Sequence, residues 1–255
     1  MAVANPLSHR INYADQPQLP LDRVAALGIK YVEIVLRLNQ SVAQIQDLLG
    51  PHCLEVMTTH TPVGLAQVDL LDQFGRYNDM AADLGARGHF VSFHAGDMPR
   101  DRAYELIRQV GDIAESRGLF VAMETHEDLN ENGDKALEVF STVRHPAVGW
   151  NLDTANIYYY NENVDVVEEA KKALPFIRSI HAKDTTGGYK DPTFPNVGEG
   201  IVDYAALHAA LQTVNFSGPY TLELEGVAGS AETVEAMEAN VAACAAHLRR
   251  LGIAE

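Results

Sequence analysis

Cysteine is scarce: Cys53 and Cys244 are the only two in 255 residues. They are far apart and lack metal-type spacing, which excludes a disulfide framework and a thiolate zinc cluster. Both are expected to be buried, reduced thiols. Basic residues are few as well, with 19 Lys and Arg against 35 Asp and Glu and a formal net charge of −16. Nucleic acids and anionic membranes are bound largely through clusters of Lys and Arg. No basic run exists here, so neither is an expected partner. Long apolar runs are missing too, since none approaches the roughly 18 residues that a membrane span needs. The first residues, MAVANPLSHRINYADQ, hold no cationic stretch followed by an apolar core. A cytoplasmic location is therefore expected. No linker or low-complexity tract divides the chain, so one domain over 1–255 is expected.

What is present is a repeated alternation. Strand-like runs occur at HRINY, KYVEIVL, CLEVMTTH and HFVSFHAG, and then in VAMETHED, VGWNLDTAN, IRSIHAKD and YTLELEG. Most are spaced by about thirty residues, the size of one βα unit. Helical periodicity fills the gaps, as in Leu106, Ile107, Val110, Ile113 and Ala114, or in Val234, Met237, Val241, Cys244 and Leu248. Gly28, Gly85, Gly118 and Gly218 precede strands, as helix-ending glycines do. Eight such units in a chain that is 47% apolar suit an α/β fold, a (β/α)₈ TIM barrel.

Successive side chains on a strand face opposite ways. Leu119, Val121 and Met123 share one parity and Glu124 takes the other. Val148, Trp150 and Leu152 oppose Asp153, Ile180 opposes Ser179, His181 and Lys183, and Tyr220, Leu222 and Leu224 alternate with Thr221, Glu223 and Glu225. Apolar residues then face the helices, while polar groups point inward at the carboxyl ends. A single acid at a strand end usually just faces water. Glu124, Asp153, His181 and Glu223 together, three carboxylates and an imidazole converging on one point, describe a divalent metal site.

These motifs carry a resemblance. M-E-T-H, N-L-D-T-A-N, H-A-K-D, G-E-G-I-V-D-Y and T-L-E-L-E-G, in that order and spacing, are similar to the xylose-isomerase-like TIM barrels. That superfamily includes metal-dependent sugar isomerases, epimerases and inosose dehydratases. The resemblance implies that Glu124, Asp153, His181 and Glu223 bind one divalent cation, with Mn²⁺ the first expectation and Mg²⁺, Co²⁺ or Zn²⁺ also suited. It makes Glu225 a residue behind the ligands rather than one of them. It also implies an enzyme acting on a small sugar or cyclitol. The cation would polarise a carbonyl and stabilise the enediolate left by proton loss. Glu124 and Glu223 are the expected catalytic acid/base pair. Return of the proton gives an epimer or an aldose–ketose isomer, and loss of a β-hydroxyl makes the same site a dehydratase. A non-catalytic sugar-binding barrel or enzyme subunit is the other class, and a broken quartet would mark it. Here the quartet is intact. No phosphate-binding loop is recognisable, so phosphorylation of the substrate stays open, as does a homo-oligomer.

Several inward residues complete the expected pocket. His60, His94 and Glu33 fall at the ends of earlier strands, as substrate contacts or as buried, satisfied polar groups. Lys183 is a substrate cation or a partner of Asp184. His126 is expected to orient Glu124. Trp150 reads as wall packing. Of Tyr158, Tyr159 and Tyr160, one ring lining the mouth competes with ordinary helix-end packing. The long connection TTGGYKDPTFPNVGEGI reads as a lid or as a surface loop. One departure stands out. Many ketose epimerases and the related abasic-site endonucleases carry Asp-x-x-His where this chain has Asp153-Thr154-Ala155-Asn156, which argues against a second metal and against DNA repair.

Overall fold

Apolar residues at period two build eight strands in the computed structural model, which describes residues 4–11, 19–225 and 233–255. They are β1 (Leu7–Ile11), β2 (Tyr31–Val35), β3 (Glu55–His60), β4 (Gly88–Val91), β5 (Phe120–Glu124), β6 (Val148–Asp153), β7 (Ile177–Ala182) and β8 (Tyr220–Leu222). All neighbours pair in parallel and in sequence order, and β8 returns to β1, closing the barrel. The helices α1 (Leu21–Ala26), α2 (Val42–Leu49), α3 (Leu70–Asp83), α4 (Arg100–Glu115), α5 (Gly133–Val143), α6 (Asn156–Tyr160), α7 (Val166–Ala173), α8 (Tyr204–Gln212) and α9 (Val234–Arg250) fill the connections. This is the expected (β/α)₈ architecture. No helix among the described residues is long and apolar enough to cross a membrane.

The outward parity forms the core. Val32, Ile34, Val121, Met123, Trp150, Leu152, Ile180, Tyr220 and Leu222 are buried with Leu106, Ile107 and Val110 of α4 and with Val241, Cys244 and Leu248 of α9. The outward face also holds buried polar residues, His89 and Thr59 among them. His89 on β4 donates from Nε2 to Asn78 Oδ1 of α3 at 3.1 Å, and its Nδ1 meets the Thr59 and Thr61 hydroxyls at 2.9 and 2.8 Å. Burial pushes its pKa down to about 3, so the ring is neutral and bolts α3 to the sheet.

Two irregularities re-aim side chains toward the interior. The register shifts between Val32 and Glu33, where β3 inserts Met57, and between Trp150 and Asn151, where β7 inserts Arg178.

Some local expectations need correction. β1 starts at Leu7, two residues before HRINY, and Asn12 and Tyr13 lie outside the described residues. Cys244 is buried, but Cys53 is exposed, because it ends the short turn Gly50–His52 in a left-handed conformation at φ 54°. Gly28, Gly85 and Gly118 follow helices with φ of 73°, 77° and 71°. Gly218 does not end a helix, since Asn215 supplies the left-handed residue after α8. A Cβ at Gly218 would lie 2.2 Å from the Arg178 carbonyl oxygen, so close approach to β7 is what requires glycine there.

Candidate metal centre

Strand ends place the quartet. Glu124 ends β5, Asp153 ends β6, His181 lies one residue before the end of β7, and Glu223 follows β8. All four are buried, and one ligand atom from each lies within 4.8 Å of the others. Sequence parity thus brings these four together.

Each group is aimed by its neighbours. Asp153 Oδ1 accepts from the N–H groups of Ala155 and Asn156, both at 2.9 Å, which turns Oδ2 toward the quartet. Lys183 Nζ forms an ion pair with that oxygen at 2.8 Å. His181 Nε2 faces Glu33 Oε1 at 3.1 Å, leaving Nδ1 between Glu124 Oε1 at 3.3 Å and Glu223 Oε2 at 3.1 Å. Nδ1 has no hydrogen-bond partner among the described residues. On Glu124, Oε2 accepts from the Ser92 hydroxyl at 2.5 Å and meets His126 Nε2 at 3.2 Å. Arg10 pairs with Glu223 Oε1.

The charge balance follows from this packing. Burial opposes a charged imidazole at His181, but the Glu33 and Glu124 carboxylates outweigh it and hold the pKa up at about 9. Burial would raise the carboxyl pKa of Glu124, yet His126 and His181 draw it well below the usual range. Without a metal, His181 carries the proton that offsets the acids. His181 would have to give up that proton to hold a cation, because a ligating histidine must be neutral. His181 Nδ1, buried without a hydrogen-bond partner among the described residues, and Asp153 Oδ2, which meets only the Lys183 ammonium, share one cluster with two further carboxylates, a donor set that fits a divalent ion. Glu33, behind the imidazole, fixes the ring through Nε2, as a carboxylate would for a ligating histidine.

Above the quartet opens a cavity of about 380 Å³. Arg10, His60, Ser92, Glu124, His126, Asn156, Lys183 and Glu225 line it, with Phe90, Tyr159, Tyr160, Pro192 and Phe194 as apolar walls. The expected pocket residues divide accordingly. His60 and Lys183 reach the cavity, Glu225 holds Lys183 Nζ at 2.8 Å, and His126 contacts Glu124 as expected.

Glu33 needs correction as a substrate contact, since both its oxygens are committed, Oε1 to His181 and Oε2 to the Thr58 hydroxyl at 2.7 Å. His94 is exposed beside His126 and is not among the cavity-lining residues, because β4 ends at Val91, three residues before it. Lys183 pairs with Asp153, Glu223 and Glu225, and not with Asp184. Two of the three tyrosines line the cavity, while Tyr158 accepts from the Val166 N–H. Asn156 donates to the Thr125 carbonyl at 3.0 Å.

Arg10 belongs to none of the sequence motifs that mark the site. Its parity opposite Ile11 was the available signal, but a lone arginine in a first strand belongs to no recognisable motif.

A second grouping, Asp112, Glu115 and His145, lies on the outer surface. The Ala147 N–H donates to His145 Nδ1 at 3.1 Å, which leaves the ring proton on Nε2, the atom facing the two acids. That is a hydrogen-bonded surface cluster and not a metal cradle.

Comparison with known proteins places the fold among relatives. L-ribulose-5-phosphate 3-epimerase UlaE of Salmonella paratyphi C is 29% identical over 153 residues, covering 56% of this chain and 52% of the relative. The match thus spans about half the length of that relative. D-allulose 3-epimerase from Methylomonas sp., solved in complex with D-allulose, superposes with a TM-score of 0.74 at 16% identity, over 97% of this chain and 96% of that one. The IolI protein, solved with a bound zinc atom, gives a TM-score of 0.76 at 20% identity, over 96% and 98%. At such identities these structures share the fold. The family model of the xylose isomerase-like TIM barrel matches residues 21–250, nearly the whole chain, and the protein belongs to that family.

Proposed function

We propose that the protein is a divalent-metal-dependent sugar isomerase or epimerase that moves a proton at the carbon beside a carbonyl. The observation that carries this reading is the buried quartet of Glu124, Asp153, His181 and Glu223 beneath a sugar-sized cavity. The epimerase relatives support it. Mn²⁺ is the expected ion, with Mg²⁺, Co²⁺ or Zn²⁺ also compatible with three carboxylates and one imidazole. When bound, such an ion draws electron density from a substrate carbonyl and so acidifies the neighbouring C–H.

The chain's own residues supply the rest. Glu124 and Glu223 come from non-adjacent strands, which lets one carboxylate take the proton and the other deliver one from a different side. Glu124 is kept ionised, ready to accept, while Ser92 and His126 fix the orientation of its Oε2. Arg10 and Lys183 hold Glu223 from two directions. Asp153, with one oxygen tied to backbone N–H groups, acts as a ligand alone. Phe90, Tyr159, Tyr160 and Phe194 offer apolar faces for the C–H surface of a sugar.

The reaction class is read by incubating the metal-loaded protein in D₂O with a panel of ketoses, inososes and 3-keto-glycosides and following it by NMR. Deuterium is expected only at the carbon next to the carbonyl, with an epimer or aldose–ketose isomer as product. An unsaturated product would replace this reading by elimination on the same site, and absence of label from every member would overturn proton transfer altogether.

A further inference from the structure

Asp184 lies just beyond β7 and is wholly buried, at 0% exposure. No Lys, Arg or His pairs with it among the described residues, and its oxygens instead collect backbone donors. Oδ1 accepts from the N–H groups of Thr185 at 2.9 Å and Val202 at 3.1 Å. Oδ2 accepts from Gly198 at 2.8 Å and Gly200 at 3.1 Å. Several N–H donors stabilise a carboxylate without a counter-ion. Three of the four donors stand 14 to 18 residues further along the chain, so one side chain gathers the far end of loop 185–203 back to the barrel mouth.

Both glycines of the G-E-G motif are required by their surroundings, and Gly200 by this contact. Gly198 adopts φ +94°, and a Cβ on Gly200 would lie 2.2 Å from Asp184 Oδ1 itself. The tip of the loop has its own tether, the Lys190 N–H donating to the Tyr159 carbonyl at 2.9 Å. Between tether and anchor lie Pro192 and Phe194, which line the cavity. Phe194 is only 7% exposed, with Lys183 Nζ 5.0 Å from its ring centroid.

We propose that Asp184 is a positioning residue: by capturing the backbone of loop 185–203 it sets Phe194 as the cavity wall over Lys183. The anchoring stands independently of the reaction, and only its effect on turnover rests on the proposed function.

The test is residue-resolved amide exchange on the full-length, Mg²⁺-loaded protein. Asp184→Ala should remove protection at Thr185, Gly198, Gly200 and Val202 by at least roughly tenfold, the scale of losing a hydrogen bond to a charged acceptor. Asp184→Asn keeps one acceptor oxygen, so one pair of these amides should lose protection and the other pair keep it. Gly200→Ala, whose Cβ would strike Asp184 Oδ1, should lower protection at Thr185 and Val202 with Asp184 intact, which covers the case in which Asp184→Ala does not fold. In each folded variant the amides of β5 and β6 and the metal stoichiometry should match the wild type. Unchanged protection in Asp184→Ala, or an even loss across the whole barrel, would overturn the assignment. With any sugar that the wild type turns over, KM should rise more than kcat falls in Asp184→Asn. If no sugar is turned over, the proposed reaction fails, while the exchange pattern still decides the role of Asp184.

Discussion

Glu124→Gln and Glu223→Gln are each expected to lower turnover by at least roughly 10²-fold, the usual scale of lost general acid–base help. Glutamine keeps an oxygen that can face a cation but can neither accept nor return a proton at neutral pH. Metal retention with loss of turnover therefore separates proton transfer from ligation. Solvent exchange divides the two roles further. The variant lacking the abstracting base should show no entry of deuterium, whereas the variant lacking only the returning acid should keep some. Wild-type rates in both variants with metal bound would move the proton-transfer role elsewhere. Lys183, 3.2 Å from Glu223 Oε2 and on the cavity wall, would then be the next residue to replace.

The architecture and the quartet were legible because both depend on period-two alternation, which a strand expresses residue by residue. Glu124 opposite Met123, and Asp153 opposite Leu152, declare their facing through spacing alone. Residues whose position depends on where a strand stops were not legible. His94 shares the inward parity of Ser92, yet β4 ends at Val91 and the chain carries the imidazole out to the rim. Glu33 lies on the inward face, but its carboxylate meets His181 and Thr58, partners on other strands that spacing within β2 does not reveal. Asp184 had no periodic signature at all, because its partners are backbone groups many residues away.

His181→Ala is the substitution expected to cost most in metal affinity. It removes the only nitrogen donor of the quartet and leaves Glu124, Asp153 and Glu223 facing one another without the ring between them. Glu33→Gln provides the scale. It keeps an acceptor oxygen for His181 Nε2 but loses the negative charge behind the ring, and changes of this kind typically weaken metal binding about 10–100-fold. Titration calorimetry with Mn²⁺ should place Glu33→Gln near the lower end of that range and His181→Ala well beyond its upper end, with both variants folded by circular dichroism. Equal, wild-type affinities would remove His181 from the ligand set.

The central claim is that one divalent cation sits among Glu124, Asp153, His181 and Glu223, and anomalous scattering from a crystal grown with Mn²⁺ tests it most directly. The account predicts one strong peak per chain bounded by His181 Nδ1 and one or more oxygens from each of the three acids, with Glu33 still on Nε2. A peak bound elsewhere on the chain, or ordered density for the four side chains with no peak among them at saturating Mn²⁺, would contradict it.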